Sequence, residues 1–150
     1  MQYLLDKVKD GDTLIFRTEA LIETIGLYDI DCPELGQKPY GHLARKRLAQ
    51  LLEPYNEIEA VEINRDPYNR IVAEVWAGKI CINTQLLYEG YAVAYRRHLI
   101  GEYQQRYLKA EAIARRHRLQ FWSQSQIEMP WAYRKRTNIF YQATQSIHPL

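Results

Sequence analysis

Strand-length apolar segments fill most of the first eighty residues, and one helical segment interrupts them. Residues 3–9, 13–18 and 22–30 alternate or cluster their apolar side chains as strands do. Thr18-Glu19-Ala20-Leu21 reads as a hairpin connection, although it lacks the Asn-Gly signal of a tight turn. Pro33, Gly36 and Pro39 mark a loop. From Gly41 to Leu52 the period changes. Leu43, Ala44, Leu48, Leu51 and Leu52 fall on one helical face, Arg45, Lys46 and Arg47 lie away from much of it, and Pro54 ends it. Residues 57–64 and 70–76 then read as strands around the Arg65–Asn69 turn, and Ala77-Gly78 leads to a short strand at 79–81.

Helices follow. Asn83 reads as the N-cap of a short helix through Glu89, closed by Gly90. A longer helix spans Glu102 to His117, with Tyr103, Tyr107, Ala110 and Ala114 toward the core. The last twenty residues lose periodicity and read as a tail or an irregular wrap. Five strands with a helix between the third and fourth predict an α+β chain, mainly β. The expected architecture is a five-stranded Greek-key OB-fold barrel with three helices.

At 150 residues and 47% hydrophobic, the chain can bury one domain's core. No run approaches the roughly 18 apolar residues of a membrane span, so no membrane partner is expected. The first residues carry neither a basic n-region nor an apolar h-region. A cytoplasmic monomer is the expectation, with a mature secreted form as the alternative. Cys32 and Cys81 form no disulfide framework and read as reduced thiols, and the four histidines do not pair with them at zinc spacing. Charge is uneven. Residues 1–95 hold 15 acidic and 10 basic side chains, and residues 96–150 hold 3 and 10. An acidic part joined to a basic part fits a polyanionic substrate; a helix with a solvated basic face explains the same numbers.

Three short stretches carry the chemistry: Asp10-Gly11-Asp12-Thr13, Asp31-Cys32-Pro33-Glu34 and Asp66-Pro67-Tyr68-Asn69-Arg70. Singly, each reads as a turn or a polar loop, with Gly11 supplying an awkward backbone angle in the first. Together they place carboxylates and an arginine at strand ends. Clustered carboxylates suit a hard divalent cation. A spare carboxylate and an arginine beside one suit phosphoryl chemistry.

In order and at these spacings, Val8–Leu14, Leu27–Glu34 and Gly36–Gly41 closely resemble the staphylococcal nuclease (thermonuclease) family. Further matches follow at Asp66–Arg70, Ile82-Asn83 with Leu86, Gly90-Tyr91-Ala92, Ala110-Glu111 with Ala114-Arg115, and Pro130-Trp131. The resemblance covers roughly residues 5–123, which sets a thermonuclease-like domain at 1–123 and a basic C-terminal extension at 124–150. It implies an OB-fold endonuclease that uses Ca²⁺ to hydrolyse phosphodiester bonds in DNA or RNA. Asp12, Asp31 and the backbone carbonyl of Cys32 would be metal ligands. Glu34 would be the general base or water-orienting group, and Arg70 would contact the scissile phosphate. Tyr68 would line the phosphate pocket, and Tyr95 would stack on the nucleotide.

One position departs from the family. Where the resemblance implies an arginine five residues before Asp31, this chain has Gly26. Arginines that stabilise phosphoryl-transfer transition states are worth about 10³–10⁵ in rate. Arg17 on the neighbouring strand and Lys38 in the next loop are the candidate replacements, although the parity of Arg17 turns it away from Asp12. Asp29 adds a carboxylate near the site. Arg96-Arg97, Arg115-Arg116 and the Arg134-Lys135-Arg136 run could follow a phosphate backbone or simply be solvated. Two functions stay open: a metal-dependent nuclease impaired at Gly26, and an OB-fold module that binds nucleic acid or protein without hydrolysis.

Overall fold

The computed structural model describes residues 2–17, 21–55, 57–96 and 100–137. Residues 18–20 of the predicted connection, Arg97, and the chain after Thr137 lie outside these residues. Five strands close on themselves: β1 (Gln2–Val8), β2 (Thr13–Arg17), β3 (Ile22–Leu27), β5 (Glu57–Arg65) and β6 (Ile71–Ala77). Their order is β3-β2-β1-β5-β6, each pair antiparallel, and a parallel β3–β6 pairing shuts the barrel. Period-two alternation turns one face of each strand inward. Leu14, Phe16, Ile25, Ile58, Ile71 and Val75 are buried there. This is the expected α+β OB-fold barrel.

Helix α1 (Tyr40–Leu52) lies between the third and fifth strands in sequence and buries Gly41, Ala44, Leu48 and Leu52. That spacing of three and four residues is one helical stripe. Helices α2 (Ile82–Tyr88) and α3 (Gly101–Arg116) pack on each other, and a short 3₁₀ turn (Gln120–Ser123) follows. Phe121 and Trp122 join Val93 and Ala114 in a second, smaller apolar cluster against Tyr40, Met129 and Trp131. No helix among the described residues is long and apolar enough to cross a membrane.

Three expectations change. The segment 22–30 is not one strand: the chain turns at Tyr28-Asp29, where Asp29 takes a φ of 44°. The two residues after that turn, β4 (Ile30–Asp31), pair instead with β8 (Val93–Ala94), which comes after the short β7 (Ile80–Cys81) in sequence. Asn83 is not an N-cap, because that position falls on Cys81. Its fully buried amide side chain accepts from the Val75 N–H at 3.0 Å and donates to the carbonyls of Tyr28 and Ala73 at 3.2 and 3.3 Å. It thus ties α2 to β6 and to the turn after β3. Finally, residues 130–137 are not an irregular wrap. They form α4 (Pro130–Thr137), which makes four α-helices among the described residues rather than three.

Candidate functional site

Asp12 stands just before β2, at the end of a turn that Asp10 organises by accepting the Asp12 N–H at 3.1 Å. Gly11 is needed here for space rather than for an unusual backbone angle. A Cβ on it would lie 2.7 Å from Cys32 Cβ and 2.9 Å from Ala44 Cβ. This close approach brings the turn against the β4 exit, where the Cys32 N–H donates to Asp12 Oδ2 at 2.9 Å. Asp31 closes β4, and Glu34 follows three residues later with its N–H on Gln37 Oε1 at 2.9 Å. The structure therefore gathers Asp10, Asp12, Asp31 and Glu34 around one end of the barrel.

Their electrostatics are strained. Burial, then the neighbouring charges of Asp10 and Asp31, push the Asp12 carboxyl well above the ordinary carboxylate range. Burial also raises Asp31, against the partial relief of an arginine bonded to it. That arginine is Arg134, from α4. Its Nη1 donates to Asp31 Oδ1 at 3.0 Å and to Glu34 Oε1 at 2.8 Å, and its Nη2 donates to Asp31 Oδ2 at 2.7 Å. Burial works against the Arg134 charge, but Asp31 and Glu34 outweigh it and push its pKa up.

Two hollows meet at this cluster, and Asp12, Glu34 and Arg134 line both. The smaller, about 330 Å³, runs past Lys9, Gly11 and Gly36. The larger, about 780 Å³, holds Gly26, Asp31, Asp66, Arg70 and Tyr95. Gly26 opens onto free space: a Cβ there would meet nothing nearer than the Ile71 carbonyl at 4.0 Å. Arg70 is bonded to Asp66 within its own turn. Two Asp66 bonds from the Tyr68 and Arg70 N–H groups, each 2.9 Å, secure that turn. Tyr68 is exposed beside it, its ring 6.0 Å from the Arg70 guanidinium, and does not line either hollow. Tyr95 does line the larger one and packs edge-on against Trp131 at 5.6 Å.

The other candidates settle elsewhere. Arg17 is exposed and paired with Asp6. Lys38 is exposed and lines neither hollow. Arg96 is bonded to buried Glu111, and Arg115 lies 3.8 Å from that carboxylate and over the Trp122 ring. The Cys32 thiol is buried and donates to the Gly11 carbonyl at 3.0 Å; burial raises its pKa, so the side chain is a structural filler. Sequence reasoning found Arg134 only as one of three basic residues in a row. Its role depends on a helix with no apolar stripe, and periodicity does not report such a helix.

Among the described residues, no three His, Cys, Asp or Glu side chains form a ready cage for a metal ion. The donors present fit a hard cation in kind. Asp12 and Asp31 supply buried oxygens that repel each other, and a cation with few protein ligands fills its remaining positions with carbonyls and water.

Comparison with known proteins agrees with this geometry. Residues 24–124 match the family described as staphylococcal nuclease homologue. A micrococcal nuclease of Shigella flexneri is 35% identical over 138 residues, covering 86% of this chain and 78% of that protein. A thermonuclease of Staphylococcus intermedius is 34% identical over 100 residues, covering 61% and 58%. An uncharacterized endonuclease of Haemophilus influenzae is 28% identical over 134 residues, covering 89% and 72%. With its closed barrel and the carboxylates gathered at one end of it, this chain belongs to the staphylococcal nuclease family.

Proposed function

We propose that the protein is a divalent-cation-dependent nuclease that hydrolyses phosphodiester bonds in DNA or RNA. The observation that carries this reading is the convergence of Asp12, Asp31 and Glu34 with a guanidinium at one cleft. The relatives named as nucleases support it.

Asp12 and Asp31 would hold the cation, for which we take Ca²⁺, with the Cys32 carbonyl as a third oxygen. When bound, the ion would neutralise charge on the phosphate and orient it. Glu34 does the proton work: a carboxylate oxygen within reach of the attacking water takes its proton. It is only half-buried, so water reaches it. Arg70, on the rim of the same cleft, offers a planar donor pair to phosphate oxygens. Tyr95 offers an aromatic surface inside the cleft, and Tyr68 offers one outside it beside Arg70.

Purified protein with single-stranded DNA and Ca²⁺ tests the reading. Cleavage is expected, with loss on chelation and in Glu34→Gln. Activity that survives both would mean that the chemistry lies elsewhere. Gly26 favours a second reading, binding without turnover, because no side chain fills the space in front of it. That reading expects salt-sensitive oligonucleotide binding and no product.

A further inference from the structure

We infer that Arg134 is a substrate-contacting arginine, supplied to the cleft by the helix that follows the barrel; this rests on the nuclease reading above.

Helix α4 is fixed against the site. Gln37 Nε2 donates to the Glu128 carbonyl at 2.9 Å, just before the helix begins. Trp131 packs on Tyr95. Tyr133 comes so close to the loop after Glu34 that a Cβ on Gly36 would lie 2.1 Å from its hydroxyl oxygen. Arg136 makes a two-pronged bond back to Glu128 at 2.7 and 2.9 Å. Side chains on both flanks of Arg134 therefore determine where its guanidinium sits.

The guanidinium has donors to spare. Arginine carries five N–H groups in a planar fork, and the bonds to Asp31 and Glu34 use three. The remaining two have no acceptor among the described residues, and Arg134 lines the larger cleft. Any phosphate close enough to be attacked by a water on Glu34 comes within reach of a guanidinium bonded to Glu34. The other arginines lining that cleft already have partners: Arg70 pairs with Asp66 in its own turn, and Arg65 with Glu62 on its own strand, Glu23 on β3 and the Asn69 carbonyl. With open space at Gly26, Arg134 is the cation nearest the acidic cluster among the described residues. A neutralising latch on Asp31 is the competing role, and it predicts the opposite result on removal.

Three readouts on the full chain decide between them, using Arg134→Ala, Arg134→Lys and the exposed control Lys135→Ala. The first is binding of a fluorescent phosphorothioate oligothymidylate in EDTA. The second is cleavage of single-stranded DNA at saturating Ca²⁺. The third is cleavage by Arg134→Ala after addition of millimolar guanidinium chloride. A substrate contact predicts that Arg134→Ala weakens oligonucleotide binding at least tenfold and slows cleavage about 10²–10³-fold, the usual cost of removing one preorganised donor. Guanidinium restores part of that loss, Arg134→Lys falls between, and Lys135→Ala stays within twofold of the parent. Unchanged binding, or cleavage that is unchanged or faster in Arg134→Ala, overturns the inference and leaves the latch. If the parent itself does not cleave, the nuclease reading fails on its own. The EDTA binding comparison then still decides whether Arg134 contacts the strand.

Discussion

The molecule has two kinds of arginine–carboxylate cluster, and they differ in how the charges balance. On the barrel flank, Glu74 is almost wholly buried and fully used. Its Oε2 accepts from Arg106 at 2.8 Å and from the Tyr107 hydroxyl at 2.9 Å, and its Oε1 accepts from Trp76 Nε1 at 3.2 Å. Glu111 is similar, accepting from the Ala94 N–H at 2.6 Å and from Arg96. Each of these buried carboxylates has an arginine bonded to it. At the barrel end, among the described residues, Arg134 is the one guanidinium bonded into the cluster of Asp10, Asp12, Asp31 and Glu34, and it reaches only Asp31 and Glu34. A saturated cluster holds elements together. A cluster short of positive charge is costly to fold, and such perturbed clusters in clefts are candidates for functional sites.

The sharpest way to break that contrast is to remove one carboxylate from each kind of cluster. Glu34→Gln should cut cleavage by about 10²–10⁴, the usual worth of a general base, with little change in thermal midpoint. Single-turnover cleavage and a melting curve on the same sample check this. Glu74→Ala should do the reverse. It leaves the Tyr107 hydroxyl, the Trp76 N–H and Arg106 without their shared acceptor. The expected cost is about 3 kcal/mol, the low end for breaking a buried pair because Arg106 keeps some access to water. Denaturant unfolding measures that loss, and cleavage by the folded fraction should match the parent.

The sequence displayed these two clusters unequally. The carboxylate turns are local motifs, and the family resemblance of those short stretches picked out Asp12, Asp31, Glu34 and Arg70 as candidates. The barrel was legible for a related reason, since period-two burial is written into β2, β5 and β6. Arg134 was not legible, because its partners are 100 and 103 residues away and its helix has no apolar face. Asn83 was misread for the same reason. Its position beside a helix start suggested a cap, while its partners are backbone groups of Tyr28, Ala73 and Val75. The Asp29 turn was missed because a non-glycine residue takes the left-handed conformation there.

A gentler change tests whether the flank cluster works by hydrogen bonding. Tyr107 is fully buried, and its hydroxyl donates to Glu74. Tyr107→Phe keeps the ring, its edge contacts with Tyr28 and Tyr103, and the ion pair of Arg106 with Glu74. Only one hydrogen bond to a charged acceptor is lost, so about 1.5–3 kcal/mol is expected. A cost as large as that of Glu74→Ala would mean that the hydroxyl, rather than the arginine, holds the cluster.

The smallest effect concerns pH, and its sign separates two aspartates that line the same cleft. Asp12 has a raised carboxyl pKa, from burial first and then from Asp10 and Asp31. A group whose folded pKa lies above its unfolded value of about 3.9 binds more protons when folded, so its contribution falls as pH rises from about 4 through the folded value. In chelator, Asp12→Asn should therefore match the parent near pH 4 and be the more stable of the two at pH 7. Asp66 runs the other way. Burial works to raise its pKa, but the bonds from the Arg70 and Tyr68 N–H groups and from the Arg70 side chain outweigh burial and lower it. Its contribution is present above about pH 4 and is lost as pH falls through the folded value. Asp66→Asn should be the less stable protein at pH 7 and should converge with its parent in acid. Urea midpoints of both variants between pH 3 and pH 7 give the two signs. If both variants lose stability at neutral pH, the barrel end is as well balanced as its flank, and the excess of negative charge there does not weaken the fold.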